Sequence, residues 1–248
     1  LSTLETWVEK MFSEVPNNKL NNPNYDSEIF DKSELPRLVE VKPVKDYRKL
    51  NLYFPSQSSD TYWKSKPTAI LGHLIGHEGR NSLLSMLKKE DLATELSAGH
   101  HSESYAGIFE VSISLSRKGL DNYKRILELF FAYVNELKTK GLSQELFTEL
   151  KSMSEINYVY RDQREGSGVS SWLASQMHQF KGDEVEKNSS LFFEYSNEDF
   201  KSFVDSLNPE KMTIFLVHKD AKTNLEEKYY KTPYSLKKIS SELISSLK

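Results

Sequence analysis

Leu4, Val8, Met11 and Phe12 recur at helical spacing, so the first dozen residues predict a short amphipathic helix. The next stretch, "EVPNNKLNNPNYDSE", is rich in Asn and Pro, residues that favour turns and exposed backbone, and it reads as a linker. From Leu35 the pattern becomes alternating. "RLVEVKPVK" and "RKLNLYFPS" predict two strands joined through Lys45 and Asp46, with Pro43 at an edge or strand end because it cannot donate to a ladder.

A helical pattern follows from about Thr68 to His77, with Gly79 as its expected stop. A second helix, from about Ser82 to Lys89, carries Leu83, Leu84 and Leu87 on one side. "LATELSAGHH" and "AGIFEVSISLS" then read as a strand pair around the polar loop Ser102 to Tyr105. In the second of these, Phe109, Val111, Ile113 and Leu115 alternate with Ile108, Glu110, Ser112 and Ser114, the signature of an antiparallel strand with one buried face.

Tyr123, Ile126, Leu127, Phe130, Val134 and Leu137 form the stripe of a long helix that Gly141 ends. Ser143 is placed to cap the next helix, which runs to Tyr160. "RDQREGSG" is a charged break, and a further helix is expected over Val169 to Phe180. Ser196 with Asp199 resembles a capping box for a helix ending near Leu207, and "KMTIFLVHK" reads as the final, buried strand. The amphipathic tail "SLKKISSELISSLK" is short, and reads as a fraying helix or a contact to another segment. The order of elements gives an α+β architecture, with helices packed on one face of a mainly antiparallel sheet.

Composition narrows the function. Of 248 residues, 38% are hydrophobic and 28% charged, with thirteen Tyr and thirteen Phe, enough bulk for a substantial core. The net charge of -3 and the lack of a basic block argue against nucleic acid as a partner. No apolar run approaches the roughly 20 residues that cross a bilayer, so no membrane partner is expected. The chain has no cysteine, which excludes disulfides and thiolate metal sites and fits a reducing compartment; a cytoplasmic location is expected.

"GHLIGHEG" is the stretch nearest to chemistry. His73 and His77, four residues apart on a helix, share a face and could reach one metal. Zinc hydrolysis also needs a third ligand and a carboxylate to take the proton of the water. In the inverted motif H-x-x-E-H that carboxylate precedes the second histidine, and here Gly76 stands in its place. Glu78 lies about 100° round the helix from His77 and cannot substitute simply. Glu149 or Glu155 is a conceivable distal ligand. Among 36 acidic residues, however, some carboxylate within reach is expected by chance. His100 and His101 are adjacent in a strand and point to opposite faces, which makes them poor co-ligands. No catalytic set assembles from the local sequence, and the bland alternative is a packed helix whose histidines edge a groove.

"FSEVPNN", "RKLNLYFP", "KPTAILGHLIGHEGRNSLLSMLKKEDLATELSAG" and "NPEKMTIFLVHKD" together resemble the insulinase/pitrilysin family of zinc metallopeptidases, in particular its insulysin-like members. The resemblance is to the second of four homologous domains. It implies that residues 1–34 are the terminal helix of a preceding catalytic domain plus an interdomain linker, and that 35–248 form a catalytically inactive domain with a C-terminal extension. Zinc, its ligands and the base would belong to the parent enzyme's first domain, with no cofactor and no catalytic residue in this chain. The partners implied are a peptide substrate and the remaining domains of the same chain.

In that family the second domain holds the N-terminal part of a peptide at a distance from the zinc, by strand addition. Carried over by position, this substrate-binding site falls on His73, Gly76 and Glu78 of the helix region. On the strand it falls on Leu96, Ala98 and His100, with Ser97 and Gly99 between them. Ala98 stands where the family pattern has glycine, and His100 where it has glutamine. The implied function is substrate anchoring within a peptide-hydrolysing zinc enzyme. A peptide-binding pseudo-enzyme and a purely architectural chamber wall are the alternatives.

Overall fold

The structure is a computed structural model that describes residues 1–21, 34–162 and 165–248. Part of the expected linker and part of the "RDQREGSG" break lie outside the described residues. Helix α1 (Ser2–Phe12) has the predicted stripe, yet it buries no residue: Leu4, Trp7, Val8, Met11 and Phe12 are all exposed. Strands β1 (Arg37–Val41) and β2 (Lys49–Ser56) follow, then a 3-10 turn over Asp60–Tyr62, α2 (Pro67–Ile75) and α3 (Leu83–Lys89). Next come β3 (Ala93–Ser102), β4 (Gly107–Leu115), α4 (Arg117–Asp121), α5 (Tyr123–Lys140) and α6 (Gln144–Val159). The remainder comprises α7 (Gly166–Gln176), α8 (Glu184–Lys187), α9 (Asn197–Ser206), β5 (Thr213–Val217), β6 (Leu225–Glu226), β7 (Pro233–Lys238) and α10 (Ser241–Ser246).

Seven strands form one sheet in the order β3-β4-β2-β5-β1-β7-β6, antiparallel except where β1 runs parallel to β5. The α+β architecture is as expected. β1 and β2 are not sheet neighbours, however, because β5 inserts between them through Leu38↔Ile214 on one side and Leu52↔Ile214 on the other. β5 is buried at every position but Phe215, as a strand with partners on both edges should be. Nor is it the last strand. β7 takes the first part of the amphipathic tail, and α10 takes the rest, capped by Ser240. β7 buries only Ser235, so it has no apolar alternation by which to be recognised.

One face of the sheet meets the helices. Leu50, Leu52 and Phe54 of β2 and Phe109, Val111 and Ile113 of β4 point into that layer, where Phe130 and Phe131 of α5 and Phe200 and Phe203 of α9 are fully buried. Phe54 stacks on Phe130 at 5.8 Å and meets Phe131 edge-on at 6.1 Å, an aromatic knot joining sheet to helix. The caps read from sequence form as hydrogen bonds, Ser143 and Ser196 accepting from the amides of Leu146 and Asp199, and Ser82, not singled out as a cap, accepts likewise from Ser85. Two ends move. α7 starts at Gly166 and stops at Gln176, short of Phe180, and α2 stops at Gly76, not Gly79.

Candidate functional site

Among the described residues, strand β3 is an edge of the sheet, and one side of its backbone has no strand partner. Helix α2 lies along that side. A Cβ on Gly72 would stand 3.1 Å from the carbonyl oxygen of Ala98, and one on Gly76 would stand 3.6 Å from the Ala98 nitrogen. Ala98 therefore turns both its backbone groups towards the helix and away from β4. In an antiparallel ladder this orientation recurs at every second residue, which places the backbone groups of Leu96 and His100 on the same open side.

Between α2 and β3 runs an open groove of about 570 Å3. All eight residues carried over from the family resemblance line it: His73, Gly76 and Glu78 on one bank, and Leu96, Ser97, Ala98, Gly99 and His100 on the other. The structure brings the two halves of the set together across about twenty residues of intervening chain. Thr68, Ala69, Gly72 and His77 also line the groove and were not singled out from the sequence. The i, i+4 spacing of Gly72 and Gly76 was the available signal, since it puts two residues without side chains on one face of a helix.

Gly76 also meets its own helix. Its nearest neighbour in the direction of a Cβ is the carbonyl oxygen of Gly72, at 3.0 Å, so the glycine serves the helix's own tight C-terminus as well as the groove. Because α2 ends there, His77 and Glu78 lie beyond the helix. The His77 ring folds back over Gly79, where a Cβ would come within 2.4 Å of Nε2. The His73 and His77 rings are 5.7 Å apart and tilted by 44°. Among the described residues, no three His, Asp or Glu side chains group as a metal site, and Glu149 and Glu155 are exposed on α6.

His100 and His101 do point to opposite faces. His101 Nε2 lies 3.5 Å from Glu110 on the outer face, where Tyr53 also donates to Glu110 at 3.0 Å. Burial and that carboxylate push the Tyr53 hydroxyl up to about 12. His100 turns to the helix layer, with its ring edge-on to Phe203 at 5.6 Å and Nε2 2.8 Å from Ser56 Oγ. Burial holds its pKa below the ordinary histidine value, so near neutral pH the ring is uncharged and Nδ1 is a buried polar atom without a partner. His100 thus contributes its backbone to the open edge while its side chain is committed to Ser56 and Phe203.

Comparison with known proteins places this geometry in context. Residues 1–154 match the family model described as the peptidase M16 inactive domain, and residues 158–248 match the middle or third domain of peptidase M16. The A-factor-processing enzyme of Saccharomyces cerevisiae is 33% identical over 253 residues, covering 100% of this chain and 24% of that protein. The human insulin-degrading enzyme is 32% identical over 248 residues, covering 98% of this chain and 24% of that protein. The chain thus spans about a quarter of the length of these relatives. The crystal structure of pitrilysin superposes with a TM-score of 0.91 at 22% identity, over 100% of this chain and 27% of that one, and so shares the fold.

Proposed function

Because the chain belongs to the M16 peptidase family, where residues 1–154 match the domain described as inactive, we propose that it anchors peptide substrates for a zinc metalloendopeptidase. The zinc, its ligands and the general base would sit in another domain of the parent protein, as would peptide hydrolysis itself. This chain would contribute binding energy and orientation at a distance from the scissile bond. A cytoplasmic setting is proposed with it. Among the described residues, no helix is long and apolar enough to cross a membrane.

The observation that supports this reading is the groove between α2 and the open edge of β3, with the backbone of Ala98 turned into it. A peptide laid along that edge gains main-chain hydrogen bonds irrespective of its sequence, the economy of strand addition. Glu78, exposed at one end of the groove, is a counter-charge for a free terminal ammonium.

Titrating an isotope-labelled sample with a decapeptide carrying a free amino terminus tests the proposal by NMR. Shifts at His73 and through Leu96 to His100 are expected, and they should weaken when the peptide is acetylated. No perturbation at saturating peptide would leave this face as a wall of a larger chamber.

A further inference from the structure

We infer that the cavity between α2, α6 and α7 is a second subsite for the same peptide, one that takes an acidic residue adjoining a bulky apolar one. The inference rests on the groove reading above and extends it to substrate preference. The cavity has a volume of about 730 Å3 and shares Ala69 and His73 with the groove, so these two residues form the ridge between them. At Ala69 the shared boundary carries only a methyl side chain.

Part of the wall is apolar, while the carboxylates Asp162 and Glu186 accompany Lys66 and Arg161 in its polar part. Leu150 and Met153 come from α6, Val169, Trp172 and Leu173 from α7, and Phe192 from the segment before α9. Met153 is nearly half exposed, at 45%, an arrangement that leaves apolar surface in water until something covers it. The polar lining is asymmetric. Arg161 is already matched, because it pairs with Glu186 and lies over the Tyr158 ring at 4.3 Å. Lys66 is different. It is half-buried, with its ammonium held by the carbonyl oxygen of Asn188 and by no carboxylate among the described residues.

Placing a charge out of water without a counter-ion is costly, and a carboxylate that arrives with a ligand recovers that cost. Burial alone pushes the Lys66 ammonium down to about 8, which is the same penalty expressed as a loss of proton affinity. Lys66 also lines a smaller cavity by the start of α2, with Thr68 and Ala69, and so borders two concavities beside this helix. The chemistry that satisfies this cavity is thus one carboxylate beside one large apolar group, both delivered by the chain seated in the groove.

The test uses the 248-residue chain and two dodecapeptides with free amino termini. They are identical except for one Glu-Phe pair in the first and Gln-Ala in the second, and the pair is moved through successive positions. Calorimetry should find a position at which the Glu-Phe peptide binds at least about fivefold more tightly. Lys66→Met should narrow the gap contributed by Glu, and Met153→Ala, at an exposed helix position that does not threaten the fold, should narrow the gap contributed by Phe. Equal binding of both peptides at every position overturns the subsite while leaving the groove intact. Failure of both peptides to bind at all overturns the groove reading instead. A preference that survives both substitutions places the recognition elsewhere and also overturns the inference.

Discussion

Gly72 of α2 sits against the carbonyl of Ala98 in β3 so closely that the missing Cβ sets the distance between helix and strand. A larger residue has to push the helix away from the sheet edge, because the atom it meets is backbone. Gly72→Val should therefore lower stability by about 1–3 kcal/mol, the usual cost of overpacking, despite the lower chain entropy of valine in the unfolded state. Urea unfolding measures the loss. The peptide-induced shifts at Leu96 to His100 should weaken further than the stability change explains.

Gly119 is a stricter case. A Cβ there would lie 1.8 Å from the carbonyl oxygen of Leu92, which already accepts from the amide of Ser116. Gly119→Ala should destabilise by at least ~2 kcal/mol, although alanine is the better helix former. A thermal midpoint equal to that of the parent chain would contradict the placement of α4 against β3's start.

His100 makes stability depend on pH with a defined sign. Its folded pKa lies below the ordinary 6.5, so the unfolded chain takes up the proton first. The contribution is complete above about 6.5 and is lost as the pH falls through the folded pKa. Asp60 and His101 act on the ring with opposite signs, and neither outweighs burial. His100→Gln should remove this slope. The stability difference between parent and variant, followed from pH 7 to pH 5, should shift in favour of the variant; a constant difference would refute the assignment.

For metal, the expected outcome is a negative one with a sharp control. After dialysis against zinc the chain should retain no stoichiometric ion and should cleave no peptide, since Gly76 removes the base and the described residues group no third donor with His73 and His77. Near-stoichiometric zinc that is lost in His73→Ala would reverse this reading.

Periodicity carried most of the fold. The alternation from Ile108 to Leu115, the stripe from Tyr123 to Leu137 and the serine caps at 143 and 196 all became the elements they foretold, because each is a local rule satisfied locally. What stayed hidden depends on partners far away in the chain. Nothing near β1 or β2 announces that β5 will separate them, and β7 has too little buried surface to leave a pattern. The groove was legible as a set of positions through family resemblance. The inward turn of His100 and the end of α2 at Gly76 were not, since both are settled by contacts with Ser56, Phe203 and Ala98.

The sheet has a consequence for how such a chain can be divided. β1 and β2 lie within the stretch matched by one family model, and the strand between them, β5, lies within the stretch matched by the other. Severed at that boundary, the first piece would retain a β1 deprived of both its neighbours, and the second a β5 with no ladder at all. The two matched stretches are therefore not units of autonomous folding in this sheet, and separate halves should recover order only by complementing one another.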